Sequence, residues 1–139
     1  MEPNEPPKIA MTKPLVRSYR ELVVWQKAVA LVTDVYSITK GFPRDEIYGL
    51  TSQLRRSAVS IPSNIAEGQG RATKGEFIQF LCHARGSLFE LETQIIIAKE
   101  LSYIAPEIHG RVTEQITEVA RILNGLLTSL GISSHKNSR

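Results

Sequence analysis

The sequence has little of what disulfide-bonded, zinc-binding and membrane proteins need. Cys82 is its one cysteine, so it can form neither an internal disulfide nor a zinc site built on paired cysteines, and a cytoplasmic location is expected. No apolar run approaches the ~18 residues of a membrane-spanning helix. The proline-rich start, with Glu2 and Glu5, is unlike a signal peptide. The net charge of +3 permits a polyanionic partner without requiring one.

The signatures of common catalytic centres are also missing. Di-iron sites in helical bundles need Glu-x-x-His pairs, but the residues three positions before the histidines are Phe80, Pro106 and Ile132. Cys82 falls in an apolar row of its segment, which is typical of an inert packed thiol. We therefore expect no catalytic residue, no metal site and no cofactor. An enzyme that uses Cys82 or His83 is the least favoured alternative.

Four segments carry apolar residues at intervals of three or four, which is the spacing of amphipathic helices. Capping boxes predict that the first and third helices start at Ser18 and Thr73, because a glutamate follows each of them three residues later. A proline at the first helical position predicts that the fourth helix starts at Pro106. Glycines predict two helix ends, with Gly41 in the left-handed conformation after the first helix and Gly131 after the fourth.

The second helix should begin at Pro43 or Arg44 and end at residues 68–70. Pro62 interrupts it, since a proline inside a helix removes one hydrogen bond and costs roughly 3 kcal/mol. Either two short helices meet at Pro62, or one helix continues with a kink. The apolar stripe is unbroken across the proline, which favours the kink. The stripe consists of Ile47, Leu50, Leu54, Ala58, Ile61 and Ile65.

Four amphipathic helices joined by short turns predict an all-α fold. We expect an antiparallel up-down-up-down four-helix bundle, with helix two kinked at Pro62, over residues 18–131. Residues 1–17 are rich in proline and residues 132–139 are polar and basic, so both are predicted to be disordered tails.

Four motifs between Tyr19 and Tyr103 resemble a known family. They are LVVWQKA at 22–28, YGLTSQLRR at 48–56, SIPSNIAEG at 60–68 and GSLFELETQ at 86–94. In this order and spacing the chain resembles the bacterial four-helix-bundle family of rRNA intervening-sequence proteins, which is related to the accessory variability proteins of diversity-generating retroelements. The resemblance implies a homopentameric ring. By analogy with the retroelement proteins, it also implies a reverse transcriptase and its RNA as partners.

Charged residues beside the apolar stripes are the candidate functional residues. An unpaired charge next to a core is costly, which leaves two interpretations. One is a structural charge network within the chain or between subunits, formed by Arg56, Glu67, Arg85 and Glu92. The other is a basic surface that contacts phosphates through bidentate arginines. Its candidate nucleic-acid-binding residues are Arg55, Arg56, Arg71 and Lys74.

The first and third helices carry more apolar residues than one core-facing stripe needs, and surplus apolar surface is typical of an interface. These residues are Trp25, Leu31 and Ile38 on the first helix and Phe89, Ile96 and Ile97 on the third. We therefore expect a homo-oligomer. Basic residues at the turn between helices two and three, repeated around that oligomer, are expected to bind RNA, DNA or a ribonucleoprotein. The alternative is a protein–protein scaffold without nucleic-acid affinity, whose arginines serve subunit assembly.

Overall fold

The computed structural model describes residues 18–132, and within that range the chain is all-helical without strands. Its helices are α1 (Val23–Thr39), α2 (Leu50–Gln69), α3 (Lys74–Glu100) and α4 (Pro106–Ser129). Helices α1 and α3 each pack against α2 and α4, so the four helices enclose one core. The all-α prediction with four helices is confirmed. None of the described helices is long and apolar enough to cross a membrane.

The predicted tails fall almost wholly outside the described residues. Residues 1–17 and 133–139 lie beyond the described range, so the prediction of disorder stays a prediction there. Ile132, the first residue of the predicted C-terminal tail, packs against the core, and its backbone N–H donates to the carbonyl oxygen of Leu127 at 3.0 Å.

The local capping signals were accurate for α3 and α4. The side chain of Thr73 accepts a hydrogen bond from the backbone N–H of Glu76 at 3.1 Å, and Pro106 is the first residue of α4. Ser18 caps a separate 3₁₀ turn, Tyr19–Glu21, because extended Leu22 divides this turn from α1. Among the described glycines only Gly131 has a positive φ, of 103°, so the left-handed cap predicted at Gly41 is wrong.

Helix α2 begins later than its apolar pattern predicted. A 3₁₀ turn, Arg44–Glu46, comes first, and the carboxylate of Glu46 then accepts a hydrogen bond from the backbone N–H of Leu50 at 2.9 Å. This bond satisfies one of the amide groups that a helix start leaves without an intrahelical partner. Ile47 therefore lies outside the helix with 51% of its surface exposed, and its assignment to the core was wrong.

Helix α2 runs through Pro62 without interruption, so two separate helices do not meet there. Pro62 itself is buried, and the proposed kink stays a prediction. The rest of the predicted stripe faces inward, with Leu50 half-buried. The fully buried residues of the stripe are Leu54, Ala58, Ile61 and Ile65.

The core combines the inner faces of all four helices, and each fully buried large apolar side chain contributes about 1.5–3 kcal/mol of transfer free energy. On helix α3, Phe80 is half-buried, whereas its neighbour Leu81 is fully buried. The largest fully buried side chains are Phe77, Leu31, Leu54, Ile61, Ile65, Leu81, Leu88, Leu91, Ile95, Leu123, Leu127 and Val24.

Gly68 is a point of close contact between α2 and α3. A Cβ atom at this position would lie 2.7 Å from the Cβ of Phe80 and 3.1 Å from the Cδ1 of Phe77. Such distances are well below ordinary van der Waals contact, which for carbon atoms is 3.5–4.0 Å. The glycine lies within α2, which continues to Gln69, so its role is to admit α3 and not only to end the helix.

Candidate functional site

A groove of about 940 Å³ follows the first half of α2. Its charged side chains are two arginines, Arg55 and Arg56, and one carboxylate, Glu90 of α3. The other lining residues are mostly hydroxyl and amide side chains, with a few apolar groups. They are Tyr36, Ile47, Thr51, Ser52, Gln53, Ser57, Val59, Ser60, Ser87 and Gln94.

Two hydrogen bonds between α2 and α3 hold the groove together. The Oγ of Ser57 donates to the Oε1 of Gln94 at 2.9 Å, and both residues are buried. Farther along α2, the hydroxyl groups of Ser60 and Ser87 lie 2.8 Å apart. Because these polar groups satisfy one another, the α2–α3 interface can be polar here without leaving buried groups unpaired.

Arg55 is held in place by two residues near the end of α1. Its Nε donates a hydrogen bond to the Oγ1 of Thr39 at 2.8 Å, and its Cζ lies 4.6 Å from the centre of the Tyr36 ring. Thr39 is buried, and its hydroxyl donates to the carbonyl oxygen of Val35 at 2.8 Å. The two terminal amino groups of Arg55 have no hydrogen-bond partner among residues 18–132.

Arg56 lines the same groove but is exposed. Within the described part of the chain its guanidinium makes no ion pair and no hydrogen bond. The predicted partner Glu67 instead pairs with Arg71, with 2.9 Å between the carboxylate and the guanidinium. Glu92 is half-buried and forms no ion pair with a described residue. Pairing of Arg56 with a carboxylate of another subunit stays a prediction.

The other two candidate cations lie at the turn between α2 and α3. Arg71 pairs with Glu67, and its Cζ lies 4.8 Å from the centre of the Phe80 ring. Lys74 is the first residue of α3 and makes no ion pair within the described range. The four predicted nucleic-acid-binding residues therefore lie in two places. Arg55 and Arg56 line the groove, whereas Arg71 and Lys74 lie at the turn, where Glu67 neutralises the charge of Arg71.

Arg85 contacts an amide and forms no ion pair with a described carboxylate, and its pairing with a carboxylate of another subunit stays a prediction. Its Nη1 donates to the Oδ1 of Asn124 on α4 at 3.0 Å, and its Nη2 lies 4.0 Å from the Sγ of Cys82. Arg85 thus helps to join α3 to α4 and is not part of the groove. Within residues 18–132, no three His, Cys, Asp or Glu side chains are grouped so that they could hold a metal ion.

The surplus apolar residues of the two helices differ in their surroundings. On α1, Leu31 is fully buried, and Trp25 and Ile38 pack against the core. On α3, by contrast, Phe89 and Ile96 are exposed, with 53% and 47% of their surfaces accessible. Ile97 and Leu101 of the same helical region are exposed as well. Of the surplus residues that the sequence singled out, those on α3 are thus exposed and those on α1 pack against the core, although Val23 and Tyr36 of α1 are exposed as well.

Glu46, the sequence neighbour of the groove residue Ile47, makes a further polar contact with the turn before α4. Glu46, which bonds the backbone N–H of Leu50, also accepts a hydrogen bond from the hydroxyl of Tyr103 at 2.8 Å. Two hydrogen bonds lower the pKa of Glu46 below its usual 4.5. The bond from the backbone of Leu50 has the larger effect, and the bond from Tyr103 the smaller. The bond to Glu46 raises the pKa of Tyr103 above 10.0. This contact ties the start of α2 to the turn before α4.

Sequence patterns singled out Arg55 and Arg56 but missed the residues that position Arg55. Neither Tyr36 nor Thr39 was among the candidate site residues. Thr39 precedes Arg55 by 16 residues, so no local spacing signals the contact. The Glu67–Arg71 pair, by contrast, has the i,i+4 spacing of a helical ion pair and was detectable.

Comparisons with known proteins agree with this fold and with the four motifs. The family model of the 23S rRNA-intervening sequence protein matches residues 20–125. A similar solved structure is that of a protein with unknown function from the S23 ribosomal protein family of Bacteroides thetaiotaomicron. It is 22% identical, with a TM-score of 0.71 over 76% of this chain and 96% of that chain, and at this identity the likeness shows the fold alone. A search of the curated proteins gives no match. The match to the family model over most of its length places the chain in the family of 23S rRNA-intervening sequence proteins.

Proposed function

We propose that this protein is a non-enzymatic, ring-forming helical bundle that binds RNA, DNA or a ribonucleoprotein through the groove along α2. The observation that carries the proposal is Arg56, an exposed cation in that groove that is unpaired within the described chain. Arg55 contributes a second positive charge to the same groove, where Glu90 is the one carboxylate among the lining residues. Phosphates are suitable ligands, because arginine forms bidentate hydrogen bonds with them.

The up-down-up-down arrangement of the helices is part of this proposal. Between α2 and α3, Ser57 contacts Gln94 and the later Ser60 contacts the earlier Ser87. The contacts of α1 with α4 have the same reversed order, since Lys27 pairs with Glu118 and Asp34 bonds Gln115. Reversed contact order is what antiparallel neighbours produce, and short connections favour it.

Self-association is supported by the exposed apolar residues of α3. Phe89 and Ile96 are seven residues apart, which places them on one side of the helix. Exposed apolar surface of this kind is typical of an interface. A pentameric ring is the assembly that the family resemblance implied. In such a ring the groove would occur in several copies, so weak contacts would add up to a useful affinity. A reverse transcriptase with its RNA remains the proposed partner by analogy with the retroelement proteins.

The proposal is tested by the binding of labelled structured RNA and duplex DNA over ~50–300 mM salt, because contacts with phosphates weaken as salt rises. Arg56→Ala should weaken binding and reduce the salt slope by about one charge. The matched control is Arg111→Ala, which removes the same charge from an exposed position on α4. A third variant, Arg71→Ala with Lys74→Ala, shows whether the turn contributes. Absence of binding by the unmodified protein at the lowest salt would contradict the proposal.

A scaffold without nucleic-acid affinity is the second candidate. It is favoured by exposed apolar side chains within the groove itself, namely Tyr36, Ile47 and Val59. The mass of the oligomer distinguishes the two functions when it is measured for each variant. If Arg56→Ala dissociates the oligomer, its guanidinium serves assembly. If Phe89→Glu dissociates the oligomer and Arg56→Ala leaves it intact, assembly uses α3 and the arginine is free to bind a ligand.

A further inference from the structure

We propose that Arg55 recognises a single phosphodiester group of the bound nucleic acid, and that Tyr36 and Thr39 are the positioning residues that orient its guanidinium. This inference rests on the proposed function. It assigns different roles to the two arginines: Arg55 recognises the phosphate by geometry, and Arg56 contributes mainly charge.

The geometry around Arg55 leaves one side of the guanidinium open to a ligand. Its Nε is occupied by Thr39, and its Cζ lies over the Tyr36 ring, 4.6 Å from the ring centre. Because both contacts come from α1, the orientation of the Arg55 guanidinium is set before a ligand arrives. The two terminal amino groups have no partner within residues 18–132, and Arg55 lines the groove. A planar fork with two available donors matches two oxygen atoms of one phosphate.

Arg56 has none of these restraints. It is exposed and makes no hydrogen bond, ion pair or ring contact with the described residues. A flexible cation attracts a polyanion by its charge, and any residue with the same charge does so about equally well. A lysine should therefore weaken binding less at position 56 than at position 55, because lysine has neither a planar guanidinium nor an Nε–H group for Thr39.

An acidic peptide could also present paired oxygen atoms to Arg55, but the surroundings favour nucleic acid. Ser52 and Gln53 line the groove, and side chains of these types bond sugar hydroxyls and base edges. Tyr48, next to the groove residue Ile47, is 94% exposed. An exposed aromatic ring beside a basic groove is the arrangement on which single-stranded bases stack. We therefore expect an unpaired strand to bind more tightly than a duplex.

The decisive experiment compares two substitutions that conserve charge, Arg55→Lys and Arg56→Lys. The probe is a labelled single-stranded oligouridylate, titrated into the full-length protein over ~50–300 mM salt. Arg55→Lys should bind about tenfold more weakly at every salt concentration, with an unchanged salt slope, because the charge is kept and the bidentate geometry is lost. Arg56→Lys should lose less affinity than Arg55→Lys, because the charge is kept and no fixed geometry is lost there. Arg111→Lys, at an exposed position on α4 outside the groove, is the control that should bind like the unmodified protein.

The positioning residues are tested with pairs of substitutions. Tyr36→Leu and Thr39→Val should reproduce the loss seen in Arg55→Lys, whereas Tyr36→Phe and Thr39→Ser, which keep the ring and the hydroxyl, should restore binding. In the Arg55→Lys background, Tyr36→Leu should cause little further loss, because residues that act through one another are not additive. Thermal unfolding checks that each variant is folded. If Tyr36→Leu or Thr39→Val unfolds, the comparison of Arg55→Lys with Arg56→Lys decides whether Arg55 recognises the phosphate by geometry.

The outcomes separate this inference from the proposed function. Equal binding by Arg55→Lys and Arg56→Lys would overturn the inference and leave the proposed function standing. No binding of the oligouridylate, structured RNA or duplex DNA by the unmodified protein would overturn both. A further outcome is that oligoglutamate displaces the oligouridylate from the unmodified protein but not from Arg55→Lys. That result would show that the Arg55 guanidinium binds carboxylates, and it would overturn the phosphodiester assignment.

Discussion

Replacement of Gly68 by alanine tests whether the contact between α2 and α3 is as close as the structure indicates. The new methyl group would lie 2.7 Å from the Cβ of Phe80 and 3.3 Å from the carbonyl oxygen of Phe77. Neither atom is the far end of a flexible side chain, so α3 itself must shift. Overpacking of this kind costs about 1–3 kcal/mol.

The gain in helix propensity partly offsets that cost. Alanine is favoured over glycine by up to about 1 kcal/mol in a helix interior, and by less near a helix end. Gly68 is the second-last residue of α2, so we expect a net destabilisation of roughly 1–2 kcal/mol. For a domain of this size this corresponds to a fall in melting temperature of about 3–6 °C.

Gly86 supplies the matched control because it is an exposed glycine within α3, and a Cβ there would have no atom within 4 Å. Gly86→Ala should therefore stabilise the protein by about 0.5–1 kcal/mol. Urea unfolding of both variants, at one protein concentration, measures the two free energies. If Gly68→Ala is as stable as the unmodified protein, the close approach of α2 and α3 at this glycine does not constrain their packing.

Two further predictions concern polar contacts. The pKa of Glu46 is lowered, so its contribution to stability is fully present above its usual pKa of 4.5 and is lost as pH falls through the lower folded value. Glu46→Gln should therefore flatten the acid side of the melting temperature profile over pH ~3–7, and an identical profile would argue against the contacts with Leu50 and Tyr103. Ser57→Ala should destabilise the protein by about 1–3 kcal/mol, because the buried Oε1 of Gln94 loses its donor. A change below about 0.5 kcal/mol in urea unfolding would mean that another group replaces the serine.

Helix positions were predictable because their signals are local. A capping residue such as Thr73 acts on an amide three residues away, and a proline such as Pro106 restricts its own backbone. Apolar periodicity likewise identified most of the core. It failed at Ile47, where the pattern continued but the helix did not, because Glu46 caps α2 from outside the helix.

The candidate site was only partly predictable. Arg55 and Arg56 stood out as charges beside an apolar stripe, and the family motifs contained both. The environment of each was not predictable, since consecutive residues of a helix point about 100° apart and meet different neighbours. Arg55 meets α1, whereas Arg56 is exposed in the groove.

By itself, the sequence determined the all-helical class, the number of helices and the family, because these depend on local spacing and on ordered motifs. The tertiary structure alone decided which charge is restrained and which is free, and why Gly68 must lack a side chain. The physical reason is the same in each case. Thr39 with Arg55 and Gly68 with Phe80 are contacts between different helices, and their distances exist only once the helices have packed.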